Sequence, residues 1–385
     1  MQTTISKDIK YIGVDDTDLD LFEGQYIIPN GVSYNSYLIV DEKIAVLDTV
    51  DFRKESEWLS ALQQELQGRT PDYLIVQHME PDHSGCIRSF IHLYPEAQIV
   101  ATARTIKMLP QFFEDTKFKT LAVGEGDTLS LGTHKLTFIL APMVHWPEVM
   151  VTYDNTDKVL FSADGFGKFG ALSHEEEWAC EARRYYFNIC GKYGIPVQSL
   201  LKKASSLDIA TICPLHGPIL KENLGYYIGL YNTWSSYEVE SDGVFIAYAS
   251  IHGNTASAAH RLKEILLAKG ATKVAIADLS RDDMAEAIED AFRYGKMVVA
   301  AASYDAGVFT PMHTFLHTLQ MKGYTKRRVG IIENGSWAPS AGRVMKSMLC
   351  EMKNIEVIEP MVTILSTMKQ KDIPALETLA EAVLS

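Results

Sequence analysis

The chain has 385 residues, 47% of them hydrophobic, and a formal net charge of -13 from 36 basic and 49 acidic side chains. That length exceeds what one hydrophobic core serves, so two substantial domains are expected. The acidic balance argues against general affinity for nucleic acid or an anionic membrane surface. No apolar stretch approaches the ~20 residues that cross a bilayer, and the start Met-Gln-Thr-Thr-Ile-Ser-Lys-Asp lacks the apolar core of a signal peptide. Five cysteines with no Cys-x-x-Cys pair read as reduced thiols, and a cytoplasmic location is expected.

The first half opens on strand patterns at Tyr37 to Val40 and Ile44 to Leu47, then a helix around Trp58, Leu59, Leu62 and Leu66. A buried strand, Tyr73-Leu74-Ile75-Val76, runs into His-Met-Glu-Pro-Asp-His at 78–83, four potential metal ligands in six residues. On an extended segment, residues two apart face the same way, so His78, Glu80 and Asp82 are expected to converge, with His83 joining where the chain turns. Imidazole mixed with carboxylate, and no cysteine, suits a hard or borderline cation with open positions. Three later segments repeat the pattern of a ligand just past a strand: His145 in His-Trp-Pro, Asp164 in Ser-Ala-Asp-Gly-Phe-Gly and His216 in Cys-Pro-Leu-His-Gly. One such residue alone is more often a cap or a satisfied polar side chain; the repetition argues for a site. Patterns from Glu175 to Cys190 and Asn223 to Tyr237 read as helices, in which Tyr226, Tyr227, Tyr231 and Trp234 read as core or interface.

The order QHMEPDHSG, HWP, FSADGFG and CPLHG resembles the flavodiiron proteins, in which an αββα metallo-β-lactamase-like domain holds two non-haem irons. Zinc hydrolases of that fold carry His-x-His-x-Asp-His, whereas Glu80 stands here at the second His, which favours iron. The resemblance implies that His78, Glu80, His145 and Asp164 hold one iron and Asp82, His83, Asp164 and His216 the other, with Asp164 bridging. Tyr193 stands where the family often has a tyrosine near the irons; a packing aromatic is the other reading. Glu23 aligns with a histidine that lines the pocket in many members, and reads either as an outer-sphere proton donor or as an exposed acid on a loop.

From Ser241-Asp242-Gly243 onward, strands and helices alternate. Strand patterns at Val244 to Ala249, Lys273 to Ala277, Met297 to Ala301, Arg328 to Ile332 and Ile355 to Ile358 interleave with helical ones at Thr255 to Ala268, Met284 to Phe292, Met312 to Leu319 and Val344 to Leu349. That is a parallel sheet wound on both faces, and the domains are expected at 1–241 and 242–385. Ser250-Ile251-His252-Gly253-Asn254-Thr255 opens directly into a helix and reads as a phosphate cradle. This loop carries neither a Walker lysine nor Gly-x-Gly-x-x-Gly, which leaves a monophosphate such as FMN. The region resembles flavodoxin. Ser303-Tyr304-Asp305-Ala306-Gly307 and Asn334-Gly335-Ser336-Trp337 follow later strands, so Tyr304 and Trp337 are expected to flank the flavin ring while Ser303 and Asn334 bind its polar edge.

The resemblance implies that FMN relays electrons to the irons, which reduce dioxygen to water or nitric oxide to nitrous oxide. It also implies a head-to-tail homodimer, or a dimer of dimers, with the flavin of one subunit beside the irons of the other. With no rubredoxin-type Cys pair in the chain, electrons are expected from a separate donor such as rubredoxin or another reductase. A zinc hydrolase and a flavodoxin-type carrier with a structural metal domain are the rival classes.

Overall fold

The structure is a computed structural model that describes residues 4–114 and 116–385. The chain divides into two compact units, one of the residues up to Tyr186 with Tyr193–Asn232, the other of Phe187–Lys192 with Thr233–Ser385.

The first unit is built on two sheets. One has six strands in the spatial order Ile9–Tyr11, Tyr37–Val40, Ile44–Leu47, Tyr73–Val76, Gln98–Thr102 and Thr120–Val123. The other has five: Thr128–Ser130, Lys135–Leu140, Met150–Asp154, Val159–Phe161 and Thr211–Cys213. Alternation along the strands explains the layering, because side chains two apart share a face. Tyr37, Ile39, Ala45, Leu47, Tyr73 and Ile75 of the first sheet meet Leu136, Phe138, Met150, Val159 and Phe161 of the second in one core. The intervening Leu38, Val46 and Leu74 are also buried, as is the apolar side, Trp58, Leu62 and Leu66, of helix Glu55–Leu66. A strand buried on both faces reads as a continuous apolar run, and Tyr73–Val76 is one.

The second unit has a sheet in the order Val274–Asp278, Ser241–Ala249, Tyr294–Tyr304, Arg327–Asn334, Ile355–Val357, all parallel. Numbered along the chain, this is the doubly wound order 2-1-3-4-5. Helices Asn254–Ala268 and Ile373–Leu384 cover one face through Leu262, Leu266, Leu379 and Val383 against Val244, Ile246 and Val298. Helices Met284–Arg293, Thr310–Met321 and Ala341–Cys350 cover the other, where Phe315 meets Phe245. The expected elements are present, some with the expected ends, such as Tyr37–Val40 and Ile44–Leu47, and the others with ends moved by one to three residues in either direction. The expected helix over 175–190 begins only at Trp178, after a run of three glutamates, and spans Trp178–Ile189. Strand Val362–Ile364 and helix Ile373–Leu384, which the sequence pattern does not announce, complete the sheet and its cover. No helix among the described residues is long and apolar enough to cross a membrane.

A polar clamp ties a hairpin of the first unit. His134 Nδ1 meets Asp154 Oδ2 at 3.1 Å, its backbone N–H donates to Asp41 Oδ2 at 2.7 Å, and both His134 and Asp154 are buried. The hydrogen bond to Asp154 holds the imidazole pKa above its ordinary value of 6.5, against the opposing effect of burial. A raised folded-state pKa means that the clamp's contribution to stability is complete below about pH 6.5 and is lost as pH rises through the higher folded value. His134→Asn is therefore expected to lower Tm most below pH 6, with the gap from the parent narrowing towards pH 9; thermal scans across that range check it, and a gap that widens with pH would contradict it.

Candidate metal centre and flavin site

The seven ligand candidates of the first unit converge. His78 lies two residues past its strand, Glu80 (φ -58, ψ 139) is extended, and their side chains meet at one point. The expected alternation stops there. Pro81, whose fixed φ suits the first turn of a helix, starts the short helix Pro81–Ser84, and this turn carries Asp82 and His83 to a different point. Asp164 lies three residues past strand Val159–Phe161, between Ala163 and Phe166, both at positive φ (50 and 66). Such backbone in a non-glycine residue costs about 1 kcal/mol or more and persists where the surroundings dictate it.

Two groups result. In the first, Glu80 Oε2 is 3.1 Å from His78 Nε2 and 2.9 Å from His145 Nε2, and Asp164 Oδ2 is 3.4 and 3.2 Å from the same nitrogens. In the second, Asp82 Oδ2 is 3.4 Å from His83 Nε2 and 3.3 Å from His216 Nε2, and Asp164 Oδ1 is 3.1 Å from His83 Nε2. Asp164 therefore presents one oxygen to each group. Both oxygens of Asp82, both of Asp164, and Nε2 of His83 and His216 are buried without a hydrogen-bond partner. Native proteins seldom leave such atoms unpaired. The shared direction of these orphaned atoms fits them to metal ions. The electrostatics agree: His78 and His83 are held above the ordinary histidine range, and His145 is pushed up to about 9, by Asp164 and neighbouring carboxylates despite burial. Burial likewise opposes the ionised form of Asp164 and Glu80, yet the imidazoles hold both well below the usual carboxylate range. Protons on the imidazoles supply the positive charge that cations would supply in their place.

Glu23 occupies the turn of the hairpin Leu21–Phe22/Tyr26–Ile27 at φ 48. The residue is exposed and accepts from Gln25 Nε2 at 3.3 Å; desolvation, then the neighbouring Glu80 charge, pushes its carboxyl pKa up to about 7. Tyr193 closes the short turn Gly191–Tyr193 and leads into helix Gly194–Ala204. Rings in contact with ligand His216 include Phe22, Tyr34 and Tyr185.

At the carboxyl edge of the second unit's sheet lies a cavity of about 810 Å³. Its lining includes Ser250, His252, Asn254 and Thr255, then Ser303, Tyr304, Asp305 and Ala306, and finally Asn334, Gly335, Ser336 and Trp337. Gly253 sits at φ 84 immediately before helix Asn254–Ala268, with open space where a Cβ would project, so backbone and helix N-terminus can approach a phosphate. Asp305 and Ala306 take left-handed backbone (φ 48 and 56), and Gly307 pairs with Tyr304 across the turn. Tyr304 and Trp337 are 49% and 92% exposed, large rings left uncovered at the cavity, as flanking a planar cofactor requires. Ser303 and Asn334, expected at the polar edge, line this cavity and also brace its walls. Ser303 Oγ accepts the N–H groups of Ser340 and Ala341, and Asn334 Nδ2 donates to Ser366 O at 2.8 Å. Their side chains are engaged in fixing the cavity walls.

Comparison with known proteins bears on both sites. Residues 32–217 match the family model described as ODP family beta lactamase. An uncharacterised protein of Methanocaldococcus jannaschii is 33% identical over 276 residues, 70% of each chain. A nitric oxide reductase of Moorella thermoacetica is 29% identical over 371 residues, 94% of this chain and 92% of that one. A putative diflavin flavoprotein of Nostoc is 30% identical over 359 residues; this chain spans 90% of its own length and 61% of that relative's. Among solved structures, rubredoxin oxygen:oxidoreductase of Desulfovibrio gigas superposes with TM-score 0.93 at 24% identity, covering 99% of this chain and 97% of that one. The flavodiiron protein of Giardia intestinalis gives 0.90 at 22%, covering 100% and 97%. The chain belongs to the flavodiiron proteins.

One residue beside the cluster of this flavodiiron protein has no distinguishing mark in the sequence. Glu148, buried, accepts from His78 Nδ1 at 2.8 Å and from the backbone N–H of Met79 at 3.0 Å through the same oxygen. A carboxylate there fixes the proton on Nδ1 and leaves Nε2 to face the first group. Its only signal along the chain is a carboxylate three residues past His145, indistinguishable from a surface acid. Glu148→Gln keeps the shape and removes the charge. Metal affinity of the first group is expected to fall about 10-fold or more with unchanged circular dichroism; chelator competition measures it, and unaltered affinity would show that the charge has no part in holding the ligand.

Proposed function

We propose that this flavodiiron protein is an oxidoreductase that reduces dioxygen to water, nitric oxide to nitrous oxide, or both, at a non-haem diiron site, with electrons relayed through FMN from a separate donor such as rubredoxin. The reading assigns residues 1–241 to the metal domain and 242–385 to the FMN domain, with a head-to-tail homodimer in the cytoplasm as the working unit. The observation that carries it is the carboxylate-rich cluster with its orphaned buried atoms, in the same chain as a flavin-sized cavity. The names of two relatives, a nitric oxide reductase and a rubredoxin oxygen:oxidoreductase, support the two gases and the donor.

When bound, two irons would offer two adjacent positions, for one dioxygen or for two nitric oxide molecules, and FMN would relay the donor's electrons to them. The protein's residues do the rest. His78, Glu80 and His145 hold one ion, Asp82, His83 and His216 the other, and Asp164 offers an oxygen to each. The four imidazoles are neutral when ligating, so three carboxylates offset most of the charge of two divalent ions. Glu23, with a pKa near 7 and its carboxyl against Glu80, is suited to hold a proton at the edge of the first group, which gas reduction consumes. In the other domain, the 250–255 loop cradles the phosphate while Tyr304 and Trp337 cover the ring.

Metal and flavin content per chain, on protein purified without added metal, tests the assignment. Two irons and one FMN are expected; zinc without iron would overturn it in favour of a hydrolase. Asp164→Ala is expected to abolish anaerobically measured turnover of both gases while FMN stays bound, and retained turnover would rule out the bridging role.

A further inference from the structure

The loop that carries His216 is gripped by a segment some 180 residues earlier in the chain. Each residue from Pro214 to Gly217 receives a hydrogen bond from, or gives one to, residues 33–37. Pro214 O accepts from Asn35 Nδ2 at 2.8 Å and from the Tyr37 hydroxyl at 2.6 Å. Leu215 O accepts the backbone N–H of Asn35 at 2.8 Å. His216 Nδ1 donates to Ser33 O at 2.7 Å. Gly217 donates its N–H to Ser33 Oγ at 2.7 Å, and its carbonyl accepts from Asn35 Nδ2 at 2.8 Å. A carbonyl only accepts, so the proton of His216 is fixed on Nδ1 and Nε2 is left to ligate.

Asn35 is the centre of this grip. It is completely buried, and its two amide hydrogens go to the two carbonyls on either side of His216. The Tyr11 hydroxyl donates to its Oδ1 at 3.0 Å, which fixes the amide's orientation, because a flipped amide would set oxygen against both carbonyls. None of these contacts involves a charged group. The two metal positions thus differ in support: His78 of the first leans on the Glu148 carboxylate, whereas His216 of the second leans on a neutral peptide carbonyl in a loop held by an amide, and His83 Nδ1 is buried without a partner.

We propose that Asn35 is the positioning residue for the second metal position, the group whose amide holds the Pro214–Gly217 loop so that His216 can complete the set with Asp82 and His83. The proposal rests on the dinuclear reading above. Removing the amide leaves the Gly217 carbonyl without its partner and Pro214 O with the Tyr37 hydroxyl alone, which loosens the loop, and metal–ligand distances fall within about 0.2 Å of their usual values.

The test is anaerobic titration of metal-free protein with ferrous iron against a chelator, together with anomalous-scattering occupancy at each group in crystals of the loaded protein. The parent is expected to bind two ions. Asn35→Ala is expected to weaken one of them by about 10-fold or more and to empty the Asp82/His83/His216 group while His78/Glu80/His145 stays filled. Ser33→Ala, which removes only the Gly217 contact, gives a smaller loss at the same group and decides the matter if Asn35→Ala does not fold. Tyr11→Phe, which frees the amide's orientation, gives the same direction. Glu148→Gln reverses the pattern. Both ions held as tightly as in the parent, or both lost together, would overturn the positioning role. A parent that binds fewer than two ions would instead overturn the dinuclear reading, so the two failures are separable.

Discussion

Four imidazoles and three carboxylates are packed together at the edge of the first unit, most of them out of reach of water. An isolated buried carboxylate costs many kcal/mol, and the cost is tolerable only when opposite charge lies within a few ångströms. The arrangement of that unit follows from this constraint. Its two sheets bring the ends of strands Tyr73–Val76, Val159–Phe161 and Thr211–Cys213 near one another; His78, Glu80, Asp164 and His216 sit on irregular chain beyond them, Asp82 and His83 on the short helix Pro81–Ser84, and His145 on the connection after strand Lys135–Leu140. Positive φ at Ala163 and Phe166 is one local strain that this geometry imposes. The apolar core between the sheets supplies the stability that offsets it.

The second unit meets a different demand with a simpler solution. A flavin phosphate needs backbone N–H groups and a helix dipole, both of which a parallel sheet provides wherever a strand runs into a helix. A single left-handed glycine before helix Asn254–Ala268 opens the approach. The ring needs apolar planes, which exposed Tyr304 and Trp337 offer. Ser303 and Asn334 line this edge and also brace the cavity walls through their hydrogen bonds.

These differences explain why the two units are unequally legible in their amino acids. Periodicity exposes the doubly wound half nearly complete, because alternating buried strands and amphipathic helices encode their own partners locally. It leaves out Ile373–Leu384, which follows a strand of only three residues, although Glu377, Thr378 and Glu381 mark its exposed face. Ligand identities are legible because His, Asp and Glu are conspicuous after apolar strands. Their division into two groups is less so: period-two reasoning puts Asp82 with His78 and Glu80, whereas Pro81 begins a helical turn that separates them. Glu148 and Asn35 are invisible for a further reason. Their chemistry is that of ordinary polar residues, and what they hold lies 70 residues away for Glu148 and 179 or more for Asn35.

The supports also differ in what conditions can do to them. The Glu148 contact is charge-assisted and stronger than a neutral bond, but it lasts only while the carboxylate stays ionised; burial works against that state, and His78 together with the Met79 N–H preserves it. The Asn35 contacts are individually worth about 1 kcal/mol and insensitive to pH, and their strength comes from number and from Tyr11 fixing the amide. A charged buttress raises the basicity of its imidazole and favours the more highly charged state of a bound metal, whereas a peptide carbonyl does so much less. Two ions held in these two groups would therefore stand in unequal surroundings, one imidazole braced by a carboxylate and one by a neutral carbonyl.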